Sequence, residues 1–245
     1  MLMAALLLSV ALLLPISPTM SEGDSCFARI DYPAALEAYT GALRGNPGSP
    51  EALWRIARVY VCMAETAEGS VRDGLLARAE EHARLCVRAD SLNPGGYTWL
   101  AASLGYRAYF AGGREQVELS WAILEATDRA IGLDSANDAA YSIRGSLYRA
   151  LGNAGWFRRQ LASLFFGALP EGGFAEGERA LRRAIEIAPT VMRHHYELGV
   201  LYLDWGRTED GLTALKTAEA QPVRVAIDRP RLEKIRTLTS RSAQE

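Results

Sequence analysis

No surplus of basic charge marks this chain: Lys+Arg 27 against Asp+Glu 29 leaves a formal net charge of -2 and a pI near 6.0. Proteins that grip nucleic acid carry a clear basic excess, so no nucleic-acid partner is expected. Cysteine is scarce, at Cys26, Cys62 and Cys86 only, too few for a disulfide framework. The helical register derived below sets Cys62 and Cys86 at different heights on two packed helices, so both read as small buried hydrophobes. The catalytic patterns HExxH, CxxC, GxSxG and GxxxxGK(S/T) are missing, which removes the usual metalloprotease, redox, hydrolase and nucleotide signatures. Histidine occurs at His82, His194 and His195, and the adjacent pair diverges on a helix instead of chelating. The expectation is no cofactor, no metal and no catalytic residue. What the chain does have is a 49% hydrophobic composition over 245 residues without low-complexity runs. That is enough for a sizeable core and excludes a mainly disordered chain.

Long apolar runs are also rare. Residues 1–16 form one, with no charged side chain; it is short for a bilayer span and suits the core of an export signal. Pro15 and Pro18 break it, and Ser17, Thr19 and Ser21 follow, which sets the expected cleavage within 19–22. Residues 1–20 are therefore expected to be a signal peptide, residues 21–245 a single domain, and the mature chain periplasmic or secreted. The alternative is a membrane anchor retained at 1–18. Acylation of Cys26 is disfavoured, because Asp24 stands where a lipobox wants a small neutral residue.

From residue 30 onward one pattern returns: Ala35-x3-Tyr39-x2-Ala42 before Pro47, Cys86-x2-Ala89 before Pro94, and Leu181-x2-Ala184 before Pro189. Weaker copies are Thr127-x2-Ala130 before Asp134-Ser135 and Leu215-x2-Ala218 before Pro222. Spacings of three and four share one helical face, and the proline ends the helix. A second helix follows each stop, as in Trp54-x-Ile56-Ala57-x2-Tyr60, Tyr141-x3-Gly145-x2-Tyr148 and Leu198-Gly199-x2-Tyr202; the copy at Trp99 and Ala102 is degenerate. This resembles the tetratricopeptide repeat, in which a small residue lets two helices approach beside an aromatic filler. The fold expected is all-α: a tetratricopeptide-like right-handed α-solenoid of about five helix pairs over 22–222, capped by a C-terminal helix with Asp228 as its N-cap. The stops lie farther apart than the family period of about 34 in most intervals, with the extra length assigned to 62–74, 109–117 and 150–173.

Gly145-Ser-Leu-Tyr148, Trp156-Phe157, Gly167-Ala-Leu-Pro170 and Ala175-Glu-Gly-Glu-Arg-Ala resemble the regulator of microtubule dynamics family over roughly residues 24–238. Trp54-Arg55-Ile56-Ala57-Arg58 and a long loop after it fit the same pattern. The resemblance implies a helical interaction scaffold without catalytic residues. It also implies a cytoskeletal role, which would need residues 1–20 to stay uncleaved and cytoplasmic.

In such a stack the first helix of each pair lines a concave groove. Counted from the small residue of each first helix, the groove-facing side chains are Trp54, Arg58, Ser142, Ser146, Arg149, Arg193 and Tyr196. The arginines suit carboxylates, and the aromatics suit an extended segment held by stacking. The function expected is a non-catalytic protein-interaction scaffold or adaptor binding a protein or peptide partner. The alternative is a small-molecule or lipid-binding accessory of an envelope transporter. In that reading the apolar 156–169 insertion, with Trp156, Phe157, Leu161 and Phe165 as its surface, lines a pocket.

Overall fold

The computed structural model describes residues 19–155 and 166–241. Among these residues there are eleven α-helices and no strand. They are α1 (Met20–Ala28), α2 (Tyr32–Gly45), α3 (Pro50–Ala64), α4 (Gly69–Ala89), α5 (Pro94–Phe110) and α6 (Gly113–Leu133). After these come α7 (Asp138–Asn153), α8 (Phe174–Ile187), α9 (Met192–Asp204), α10 (Thr208–Glu219) and α11 (Asp228–Arg241).

Local sequence sets the boundaries. Asp90 ends α4 and Asn93 begins α5; Asp134 ends α6 and Asn137 begins α7. In both turns the Asp carboxylate accepts the amide two residues on, from Leu92 or Ala136, at 2.9 Å. The Asn side chain then caps the next helix, accepting from Gly95 at 2.9 Å and from Ala140 at 3.0 Å. Such caps satisfy amides that have no partner inside the helix. Each Asn also donates to the inner helix of the preceding unit, Asn93 to Glu51 at 2.9 Å and Asn137 to Thr98 at 2.8 Å. One four-residue turn therefore stops a helix, starts another and locks two units together.

The helices pair as α1–α2, α3–α4, α5–α6, α7–α8 and α9–α10, followed by α11. From α3 onward each first helix also packs on its successor, α3 on α5, α5 on α7, α7 on α9 and α9 on α11. The first helices make an inner layer and the second helices an outer one. Close approach within a pair depends on glycine: a Cβ on Gly199 would stand 2.7 Å from Leu215 Cγ, and one on Gly145 would collide with Leu181. Cys62 and Cys86 are buried and unbridged. Burial pushes both thiols up to about 12.

Two expectations change in detail. The long connection expected after Trp54–Arg58 is only residues 65–68, and the one at 109–117 only residues 111–112, because α4 and α6 have grown to 21 residues each. Extra helical turns satisfy their own backbone groups, which loops of that length would leave to solvent. Asp228, expected as an N-cap, is the first residue of α11, and its carboxylate bonds back to the preceding segment and forward along the helix: it accepts the Arg224 amide at 2.9 Å, the Val225 amide at 3.1 Å and the Arg231 guanidinium at 3.0 Å.

The inner layer curls until the ends of the stack touch. The Ala226 amide donates to Tyr32 Oη at 3.0 Å across 194 residues of sequence. Val225 and Ala226 pack against the N-terminal core that contains Tyr32, Ile56 and Cys62. At the other boundary, α1 begins at Met20 with Thr19 and Glu22 forming a capping box, so the first helical turn occupies the window expected for cleavage. Among the described residues no helix is long and apolar enough to cross a membrane.

Candidate functional site

Two polar clusters occupy the inner face. The first surrounds Trp54 and Arg58 on α3. Trp54 lies over Gly95 of α5, where a Cβ would come within 2.7 Å of its ring. Its Nε1 donates to Glu51 at 3.1 Å. Arg58 stacks over Phe27 of α1 at 3.7 Å and over Trp54 at 5.2 Å. It donates to Tyr39 Oη at 3.2 Å and lies 3.6 Å from Asp24. Asp24 also accepts from Tyr39 Oη at 2.7 Å and from Arg55 Nε at 3.0 Å. Burial disfavours the Asp24 charge, but these donors and the two arginines outweigh it and hold the carboxyl below the usual range. Burial, then the bond to Asp24, pushes Tyr39 up to about 12.

The second cluster is built from the inner helices α3, α5, α7 and α9 together with the capping helix α11. Glu65, at the end of α3, has a side chain only 3% exposed. It accepts from the Tyr106 hydroxyl of α5, from Arg193 of α9 at 3.3 Å, and faces Arg231 of α11 at 3.5 Å. One helical turn beyond Arg193, Glu197 accepts from Ser146 of α7 at 3.0 Å, with Arg149 at 3.9 Å. Arg149 pairs with Asp204 at 3.1 Å, and Asn153 donates to the same carboxylate at 2.7 Å. Burial works against the charge on Glu197, but Arg149, Arg193 and Arg231 together hold its carboxyl below the usual range. Burial also opposes the Arg193 cation, yet Tyr106, Glu65 and Glu197 raise its affinity for the proton.

The seven groove residues expected from the sequence thus separate. Trp54 and Arg58 belong to the first cluster, and Ser146, Arg149 and Arg193 meet in the second. Ser142 is fully buried. Tyr196 is buried with Met192, Leu215 and Ile235 between α9, α10 and α11. Trp156, Phe157, Leu161 and Phe165 lie outside the described residues. Five buried polar side-chain atoms have no hydrogen-bond partner among the described residues: Arg58 Nε, Ser142 Oγ, Arg149 Nε, Arg193 Nε and His194 Nδ1. All five belong to inner helices. The other ring nitrogen of His194 pairs with Asp138 at 2.8 Å, and no group of three or more metal-ligating side chains occurs among the described residues.

Sequence reasoning missed Asp24, Glu65, Tyr106, Glu197 and Arg231. Glu197 follows Arg193 by one turn on the face already chosen, so helical spacing alone would have found it. Glu65 and Arg231 carried no such signal, because their roles depend on curvature.

Two layers of paired helices with a polar inner face define a tetratricopeptide-repeat solenoid. A tetratricopeptide-repeat protein of Thermus thermophilus is similar, with a TM-score of 0.63 and 23% identity, covering 89% of this chain and 97% of that one. The family model described as Regulator of microtubule dynamics protein 1-3 matches residues 19–243. This chain belongs to that family. Regulator of microtubule dynamics protein 3 of Xenopus laevis is 23% identical over 197 residues, covering 80% of this chain and 42% of the relative. The Bos taurus protein of the same name is 26% identical over 112 residues, covering 45% of this chain and 24% of that protein. The chain therefore spans less than half the length of these curated relatives.

Proposed function

We propose that this chain is a non-catalytic adaptor whose concave inner face captures an extended or helical segment of a protein partner. The observation that carries the reading is the set of partly exposed arginines on the inner helices, Arg58, Arg149 and Arg193. A peptide lying along that face brings carbonyl and carboxylate oxygens to their guanidinium groups. Trp54, half-buried beside Arg58, adds a stacking surface. The proposal keeps residues 1–20 as an export signal and the mature chain as periplasmic or secreted. Sequencing the mature N-terminus tests that part: a start near Met20 supports it, and an intact Met1 overturns it.

The groove is tested by crosslinking capture from native cells, comparing wild type with Trp54→Ala/Arg58→Ala. One protein enriched by wild type and lost in the variant, with helicity unchanged, is the expected result. Equal capture by both chains would overturn the reading.

A further inference from the structure

Residues 220–227 connect α10 to α11 without helical structure, and residues 222–227 among them are where the last unit meets the first. The segment reads Pro222-Val-Arg-Val-Ala-Ile227. Besides the Arg224 guanidinium, which donates to Thr190 Oγ1 at 2.8 Å, its attachments fall into three kinds. The Ala226 amide donates to Tyr32 Oη at 3.0 Å. Val225 and Ala226 bury part of their surface against the N-terminal core. Five residues beyond Ala226, Arg231 is held by Asp228 at 3.0 Å and faces the buried carboxylate of Glu65 at 3.5 Å. A backbone amide on a fixed acceptor, small aliphatic side chains in a pocket and a cation on a buried carboxylate are how a groove holds a peptide.

We infer that residues 222–231 are an internal ligand of the groove, and that the same subsite, once vacated, takes in trans a partner segment of the same kind: two small aliphatic residues with an arginine five residues further on. The inference rests on the adaptor reading and deepens it by naming the partner chemistry and a regulatory contact. Val223 and Arg224 are exposed and Val225 and Ala226 half-buried, whereas Asp228 and Arg231 are buried in the first turn of α11, so vacating the subsite means fraying that turn. The Tyr32 bond and the Glu65 pair can then each be offered by another chain. Glu65 is central because its carboxylate serves Tyr106 and Arg193 as well as Arg231. Departure of Arg231 leaves that carboxylate with two donors, so the vacated subsite stays formed and poised for a new guanidinium.

A groove occupied most of the time by its own strap binds an outside peptide more weakly, in proportion to the fraction open. The test uses a fluorescent synthetic peptide with the sequence of residues 221–232 and the full chain, as wild type and as Ala226→Asp. The substitution sets a charge against the apolar pocket and releases the strap without touching the groove. Val225→Ser is the milder second variant should Ala226→Asp unfold the chain. The expected result is binding about tenfold tighter or more for the released chain. Tyr32→Phe or Glu65→Gln in the released background should reverse the gain. Hydrogen exchange at the Ala226 amide should rise in wild type when the peptide is added in excess.

Folded released chains that bind the peptide no better than wild type overturn the inference. If capture of a native partner still depends on Trp54 and Arg58 in that case, the adaptor reading survives and only the internal ligand falls. If that dependence is missing as well, both fall.

Discussion

Glu197 sits among the guanidinium groups of Arg149 and Arg193 and the Ser146 hydroxyl, and its ionisation is tied to the fold. Its folded-state pKa is depressed, so its contribution to stability is fully present above the unfolded carboxylate value of about 4.3. That contribution is lost as pH falls through the lower folded value. Glu197→Gln should cost about 1–3 kcal/mol at neutral pH, because Arg149 and Arg193 keep Asp204 and Glu65 but lose a second, buried carboxylate between them. Urea titrations at pH 7 and pH 3 check this: the gap between variant and wild type should narrow in acid. Asp24 obeys the same sign at the other cluster. The cysteines give a second test at this scale. Cys62 and Cys86 are buried with their thiols pushed up to about 12, whereas Cys26 is half-exposed. A thiol reagent at pH 8 should label Cys26 in the native chain and reach the other two only after denaturation. That both would be buried was legible, since each stands at a helix-face position within an apolar stripe. The partners of Arg58 and Arg193 were not. Asp24 and Glu65 lie on other helices, Glu65 128 residues from Arg193, and no local spacing encodes such a pair.

Helix pairs, their order and most of their ends followed from the sequence, because prolines, caps and three-and-four spacing act within a few residues. What misled was length. The surplus between repeat motifs read as loop, yet α4 and α6 absorb it as extra turns, since their polar residues suit a solvated outer helix as well as a loop. Glycines separate two roles at this scale. At Gly199 a Cβ would meet Leu215 at 2.7 Å and the Gly211 carbonyl at 3.1 Å; at Gly105, inside α5, it would meet nothing within 4 Å. Gly199→Ala should therefore destabilise by about 1–2 kcal/mol, overpacking outweighing the better helix propensity. Gly105→Ala should stabilise by about 0.5–1 kcal/mol. Thermal melts of the two variants should move in opposite directions. The turn residue Asn137 both caps α7 and ties it to Thr98. Asn137→Ala should cost about 1–2 kcal/mol, read in the same melts.

At the scale of the molecule, stacking units of one hand curls the inner layer until α11 and the strap before it reach α2 and α3. That curvature could not be read from the repeats, because it accumulates from small rotations at every unit interface. It brings Glu65 under Arg193 and Arg231. The choice of inner helices was legible in the sequence; the internal pairing of most of their charged residues was not. The outer layer, by contrast, carries local ion pairs such as Arg182–Glu178 and Arg183–Glu186, which contribute little and ask for no partner.

The central claim is that partners meet the inner face, and a photo-crosslinking amino acid tests it most directly. It should be placed once at Ser146 on α7 and once at Arg183 on α8, in otherwise unaltered chains expressed in native cells. The account predicts a discrete crosslinked partner from position 146 and none from position 183. Crosslinks from 183 alone would contradict it and move the functional surface to the outer layer.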